Sequence, residues 1–230
     1  AVDRQQFAEE DLKASDEHEW EEFLRESDVR TEKYGKLLDQ YADHPDRDRI
    51  VAREMGWDWL DDALDADARG LFDEDRKRLE EEMAETPDPE PNPETEGVDW
   101  VRDEYGHISH PLQLRVRNFS VKLWRRYKER GLLGENGDLD LHDMLFNAQT
   151  LGAKLAGALN GVAYREVIDG GFVVACLKRA LKFINDGLAA AEKVRAKDLL
   201  QPGEVDEYVQ ELFAVREEML ALMQRFRELT

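Results

Sequence analysis

The sequence predicts an all-α protein in three parts: an acidic helical segment at residues 1–85, a Pro-rich extended linker at 86–98 and an antiparallel four-helix bundle at 99–230. Three observations lead to this prediction. Apolar residues recur every three or four positions in long C-terminal segments, prolines alternate in the linker, and the excess of negative charge ends at the same linker. Long amphipathic helices with short connections are typical of a bundle.

The first bundle helix is predicted from its start signal. Ser109 is a capping residue, and Pro111 suits the first helical turn. Helical spacing then follows at Leu112, Val116, Phe119 and Leu123. The helix is expected to end near Gly131. Apolar residues also alternate over 112–116, a pattern that fits a strand as well, so this alternative stays open.

The second helix is predicted to begin at Asp140, with Asp143 three residues later in a variant of the capping box. Its apolar positions are Leu141, Met144, Ala148, Leu151, Leu155, Ala158 and Val162. Asn160 and Gly161 are expected to stop it in a left-handed conformation.

The third helix is predicted from Asp169 to about Ala196 and is apolar on most of its circumference, which indicates deep burial. The fourth carries eight apolar residues at alternating spacings of three and four: Val205, Tyr208, Leu212, Val215, Met219, Leu222, Phe226 and Leu229. Further apolar residues widen this stripe beyond the seam of a two-stranded coiled coil, which favours burial in a bundle.

The N-terminal part is also predicted to be helical, with candidate helices at 4–26, 28–42, 46–64 and 73–85. These segments contain few large apolar residues. We therefore expect this part to complete its core against the bundle or a partner.

The linker carries prolines at alternate positions: Pro87, Pro89, Pro91 and Pro93. Proline fixes φ and disfavours helix in the residue before it, so an extended, polyproline-like backbone is expected. Twelve such residues span roughly 37 Å at about 3.1 Å each. The prediction is a semi-rigid spacer.

All of the excess charge lies in the first 100 residues. These contain 34 acidic and 13 basic residues, whereas residues 101–230 contain 19 of each. One interpretation is that the acid serves solubility. The other is an acidic module that docks on something basic, within the chain or on a partner.

Composition excludes several classes of protein. One cysteine, Cys176, rules out a disulfide framework and multi-Cys metal sites, and its apolar surroundings predict an inert thiol. The longest apolar run, 172–177, is too short for a bilayer, so we expect a cytoplasmic protein without a transmembrane segment. The Gly-rich phosphate loops and the nucleophile elbow are absent from the sequence.

The first metal candidate consists of Glu104, His107 and His110. Glu104 and His107 have the carboxylate–histidine spacing of di-iron bundles, but such a centre needs a second pair and two further glutamates. A mononuclear site with His107, His110 and a carboxylate is the remaining metal interpretation. The alternative is a set of partly exposed polar residues around a helix N-cap.

The second metal candidate is the carboxylate group Asp138, Asp140 and Asp143, which resembles the closing half of an EF-hand loop. The bidentate glutamate of such a loop is missing. The competing interpretation is an Asn-Gly turn followed by helix-capping aspartates. A weaker half-match at 65–76 has arginines at two ligand positions.

The last candidate is a basic docking face on the first bundle helix, formed by Arg115, Arg117, Lys122, Arg125 and Arg126. The net charge of −21 argues against a nucleic-acid partner for the intact chain. Residues 49–57 resemble the start of a helix-turn-helix, but 58–67 carry five carboxylates where DNA contacts would be needed. We expect this face to meet acidic residues within the chain or between subunits, or to be a solvated helix face.

Together these features predict a non-catalytic interaction or regulatory protein. It would act by charge and apolar docking of its acidic part or its bundle onto a protein partner or onto itself. No cofactor is expected. The alternative is a metal-dependent helical-bundle enzyme that uses a divalent metal at one of the two His and carboxylate sites.

Overall fold

The computed structural model describes residues 16–57, 59–60, 63–65, 69–70, 72–85, 89–134, 136–164 and 168–229. These residues fall into two compact units. The larger unit contains the described residues up to Glu21 and those from Glu90 onward, and the smaller unit contains those from Glu22 to Pro89.

The described residues are mostly helical, which confirms the prediction of an all-α protein. The helices are α1 (Glu17–Gln40), α2 (Arg47–Met55), α3 (Asp73–Glu85), α4 (Pro111–Glu129), α5 (Leu139–Leu159), α6 (Gly170–Ala196) and α7 (Pro202–Arg227). Helix α4 excludes the alternative of a strand over 112–116. No helix in this part of the chain combines the length and apolar character needed to cross a bilayer.

The smaller unit has little core. Among its described residues only Val51 and Ala52 of α2 are buried. The C-cap of helix α2 is Gly56, whose φ of +74° is the left-handed conformation that glycine adopts without strain. The rings of Tyr34 and Trp57 pack at 5.5 Å between centroids. This thin core agrees with the scarcity of apolar residues in the sequence.

The core of the larger unit lies among α4, α5, α6 and α7. Its largest fully buried side chains include Leu123 and Tyr127 of α4, Leu151 of α5, Ile184 of α6 and Tyr208 of α7. Helices that follow one another in sequence pack against each other. Burial of these side chains stabilises the fold by roughly 1.5–3 kcal/mol for each large apolar residue.

Ion pairs between α4 and α7 run in opposite order along the two helices. Arg115 near the start of α4 contacts Glu211, whereas Arg130 after its end contacts Glu204 at the start of α7. The same reversal joins α5 and α6, because Lys193 near the end of α6 contacts Asp140 near the start of α5. Both pairs of helices are therefore antiparallel.

The helix starts differ from those predicted. The N-cap of α4 is His110 and not Ser109, because Ser109 pairs with Val101 in a strand while His110 Nδ1 accepts from the Leu112 N–H at 3.2 Å. The N-cap of α5 is Asp138 and not Asp140, since Asp138 Oδ1 accepts the Asp140 N–H at 2.9 Å.

The predicted left-handed stop after the second bundle helix is also wrong. Asn160 is right-handed helical, and the chain continues as a 3-10 turn over Asn160–Tyr164. The Asn160 side-chain oxygen instead accepts the His110 N–H at 3.0 Å, so this turn supports the start of α4.

The predicted extended linker is folded in its C-terminal half. Pro93–Thr95 forms a 3-10 turn capped by the side chain of Asn92, which accepts the Glu94 N–H. Asn92 also donates its backbone N–H to Ala163 O at 2.8 Å, and its carbonyl accepts the Trp100 indole N–H at 2.7 Å. These hydrogen bonds attach this segment to the larger unit. Residues 86–88 lie outside the described part.

A short hairpin was not expected from the sequence. Strands β1 (Val101–Arg102) and β2 (Ile108–Ser109) pair antiparallel, with Val101 opposite Ser109. Two residues are too few to show the alternation that predicts a strand. The hairpin lies directly before α4.

Candidate docking site

Most cations of the predicted basic face are bound by glutamates of α7. Arg115 donates to both oxygens of Glu211, at 2.7 and 2.9 Å, and also contacts Glu218. Lys122 and Arg126 share Glu207, at 2.7 and 2.9 Å. The pKa of Glu207 is lowered, first by its hydrogen bond from Lys122 and then by that from Arg126. The carboxylates that meet this face thus come from the C-terminal part of the sequence, whose net charge is zero, and not from the acidic first 100 residues.

The outer side of α4 and the preceding hairpin line a groove of about 820 Å³. Four residues of the predicted face lie there, and Arg115 does not. The groove is lined by Arg102, Asp103, Glu104, Tyr105, Leu114, Arg117, Asn118, Val121, Lys122, Arg125, Arg126 and Glu129. Five cations thus face three carboxylates, around an apolar strip.

Asp103 fixes the hairpin end of the groove. Its carboxylate accepts the backbone N–H groups of Tyr105 and His107, both at 2.9 Å, and contacts Arg117 at 3.1 Å. Burial of this carboxylate raises its pKa, but these hydrogen bonds outweigh burial and lower the pKa to about 2. Asp103 therefore stays ionised and holds Arg117 at the groove.

Two cations of the groove, Arg102 and Arg125, form no ion pair with a carboxylate of the described part of the chain. Arg102 lies 5.7 Å from the Trp100 ring and donates to Gly106 O at 3.3 Å. Arg125 is exposed on α4. These two guanidinium groups remain available for a carboxylate from outside the groove.

The first predicted metal site is divided between exposed and buried residues. Glu104 and His107 are exposed, and His107 Nδ1 lies 3.3 Å from Asp103 Oδ2. His110 is buried, and its Nδ1 is used by the N-cap. Burial lowers the pKa of His110 to about 4. The His110 imidazole is therefore a neutral helix cap.

Two carboxylates of the second predicted metal site form ion pairs with lysines. Lys197 contacts both Asp138, at 2.8 Å, and Asp140, at 2.6 Å. The lysine hydrogen bonds lower the pKa of both carboxylates. Asp143 is exposed, and its backbone carbonyl accepts from the Asn147 amide. Within the described ranges, no group of three or more His, Cys, Asp or Glu side chains is arranged to hold a metal ion.

Sequence reasoning missed an attachment point at the start of α1. The Glu17 carboxylate contacts Arg227 of α7 at 2.7 Å and Lys178 of α6 at 2.6 Å. The Trp20 indole donates to Asp169 Oδ2 at 2.9 Å, and its ring meets Phe172 edge-on at 5.0 Å. The i, i+3 spacing of Glu17 and Trp20 on one helix face was the only signal of this contact.

Glu17 is strongly held at this attachment point. Its hydrogen bond from Arg227 lowers its pKa most, burial opposes this, and Lys178 lowers it further, to about 2. Its side chain is only 17% exposed. The contact thus combines partly buried charge with aromatic packing.

No family model, no curated protein and no solved structure matches this chain. The function is therefore argued from the site itself.

Proposed function

We propose that the chain is a non-catalytic interaction or regulatory protein. In this proposal α4–α7 act as one antiparallel four-helix bundle, and the acidic N-terminal part docks by charge and apolar contacts, on the bundle or on a partner. The observation that carries the proposal is the contact of Glu17 and Trp20 with α6 and α7, which we call the α1 latch.

The α1 latch has the chemistry of a releasable contact. It joins Glu17 to two cations and the Trp20 indole to Asp169 and the Phe172 ring, and Glu21 contacts Arg179 beside it at 3.5 Å. Much of this contact is therefore electrostatic. Its charged half weakens as salt screens it, whereas the buried bundle core does not depend on charge. A contact of this kind can open while the four helices stay folded.

The pairing of α4 with α7 supports a scaffold role for the bundle. Glutamates of α7 neutralise Arg115, Lys122 and Arg126, which leaves few cations for a polyanion. This supports a protein partner over nucleic acid. The metal-dependent enzyme stays a prediction from sequence, and no contact described above favours it.

Hydrogen exchange of the full-length chain tests the α1 latch. We expect Trp20→Ala to speed exchange of the amides in the first two turns of α1, because it removes both the hydrogen bond and the ring contact. Raising the salt from about 0.1 M to about 1 M shortens the Debye length from about 10 Å to about 3 Å and should have the same effect. Val29→Ala, at an exposed position of the same helix, is the matched control.

Unchanged exchange in Trp20→Ala and at high salt would contradict the docking proposal. Metal content separates it from the enzyme alternative. Stoichiometric metal in protein purified without chelator, lost in His107→Ala, would overturn the non-catalytic proposal.

A further inference from the structure

Helix α3 carries an exposed apolar stripe. Phe72, directly before the helix, is 41% exposed, and Leu79 and Met83 are 56% and 69% exposed. Their spacings of seven and four residues place them on one side of the helix. The other described side chains from Asp73 to Glu82 are also exposed. An amphipathic helix with its apolar side in water is a typical docking element.

Carboxylates flank this stripe on both sides. At 100° per residue, Asp73, Arg76 and Glu80 lie on one flank, and Asp75 and Glu82 on the other. Asp73 contacts Arg76 at 3.3 Å and Asp75 contacts Arg78 at 2.7 Å within the helix, so Glu80 supplies the charge for a partner on its flank. The whole helix contains seven acidic and three basic residues. The stripe therefore fits a partner surface that has an apolar strip with cations beside it.

The α4 groove has this composition. Leu114 and Val121 are apolar residues of its lining, and Val121 is 36% exposed. Arg102 and Arg125 supply guanidinium groups that bind no described carboxylate. The lining of α4 extends from 114 to 129, about 22 Å of helix, and the thirteen residues of α3 extend about 20 Å.

We propose that α3 of one copy docks in the α4 groove of a second copy. Phe72, Leu79 and Met83 cover the apolar strip, and Glu80 meets Arg125. Each copy carries both surfaces, so two copies can each supply one helix and one groove. Helix-in-groove recognition uses the same arrangement of apolar anchors and charged edges. Two reciprocal contacts close a symmetric dimer.

This inference rests on the proposed function and names the partner as a second copy of the chain. Analytical ultracentrifugation of the full-length chain tests it. We expect a reversible dimer at about 0.1 M salt that dissociates towards about 1 M salt. Leu79→Ser and Arg125→Glu should each weaken dimerisation by at least about tenfold, which corresponds to about 1.4 kcal/mol.

Two controls match these variants. Arg216→Glu changes an exposed arginine of α7 outside the groove, and Phe146→Ser removes a 60% exposed apolar side chain from α5. Both should leave dimerisation unchanged. Circular dichroism of each variant checks that the helices remain folded.

A mixing experiment tests the proposed orientation. Arg125→Glu and Glu80→Arg each place like charges at both contacts of their own dimers. A mixture of the two restores opposite charges at both contacts, so we expect heterodimers to form. A monomer at all concentrations, equal effects of the controls, or failure of the mixture to dimerise would overturn the proposal. The α1 latch is measured separately by exchange, so either result can fail alone.

Discussion

Asp99 and Arg225 form a two-pronged ion pair between residues 126 positions apart in sequence. Arg225 Nη1 donates to Asp99 Oδ1 at 2.6 Å, and Nη2 donates to Oδ2 at 3.1 Å. The Asp99 side chain is 3% exposed, whereas that of Arg225 is 38% exposed. The pair attaches the segment before the hairpin to the end of α7.

Asp99→Asn should lower the free energy of unfolding by about 2 kcal/mol. Breaking a buried pair costs about 3–5 kcal/mol, and the exposure of Arg225 reduces this figure. Urea unfolding of the full chain measures the change. Asp186→Asn is the control, because Asp186 pairs with Lys182 at exposed positions of α6 and its loss should cost less than about 0.5 kcal/mol. Equal losses in the two variants would contradict the assigned role of Asp99.

The Asp99–Arg225 pair is an example of a contact that the sequence does not predict. Apolar periodicity predicts the four long helices because it records which side of each helix is buried. It carries no information on which charges meet between helices, so the glutamates of α7 that bind Arg115 and Lys122 were not predicted. The count of charges indicated instead that residues 1–100 supply the carboxylates for docking.

Local signals also located the site only approximately. The motif at 109–111 predicted a helix start, but both Ser109 and His110 can cap, and the hairpin decides between them by using Ser109 in a strand. Four of the five predicted docking residues line the groove, because residues on one side of α4 repeat at helical spacing. Arg115, Lys122 and Arg126 all contact glutamates of α7, and Arg115 lies outside the groove.

Protonation of His110 should destabilise the protein as pH falls from about 6.5 to about 4. Burial lowers the pKa of His110 in the folded state to about 4, from an ordinary value of 6.5. Between these values the unfolded chain binds the proton and the folded chain does not, so stability is full above pH 6.5 and is lost towards pH 4. From about pH 7 to about pH 5 the loss should be about 2 kcal/mol.

Urea unfolding at both pH values tests the role of His110. His110→Asn keeps a capping side chain without the titration, so it should lose most of this pH dependence. His107→Asn, at an exposed position, should keep it. If His110→Asn follows the wild-type pH dependence, another group is responsible.

On acidification, the α1 latch should lose its charged contact only near pH 2. Arg227 and Lys178 lower the pKa of Glu17 to about 2, against an ordinary value of 4.5. A depressed carboxylate pKa contributes stability above pH 4.5, and this contribution is lost as pH falls through about 2. The indole N–H resonance of Trp20, assigned by its loss in Trp20→Phe, should therefore shift with a midpoint near pH 2.

Glu17→Gln provides the comparison for the α1 latch. It removes the charge, so the Trp20 resonance should lie near its low-pH position already at neutral pH. A wild-type midpoint at the ordinary glutamate value would show that Arg227 and Lys178 do not hold Glu17 in solution.

Gly187→Ala should destabilise the larger unit by about 2–3 kcal/mol, because α6 and α7 approach closely at this glycine. An added Cβ would lie 2.5 Å from Tyr208 Oη and 3.2 Å from Leu212 Cδ1. Tyr208 cannot move away at low cost, since it is fully buried and its hydroxyl donates to Met144 O at 2.8 Å.

Gly157→Ala is the matched control within a helix. Its added Cβ meets no atom within 4 Å, so the higher helix propensity of alanine should stabilise the protein by about 0.5–1 kcal/mol. In both thermal and urea unfolding, Gly187→Ala should lower the stability and Gly157→Ala should raise it. A stabilising Gly187→Ala would show that α6 and α7 lie further apart than described.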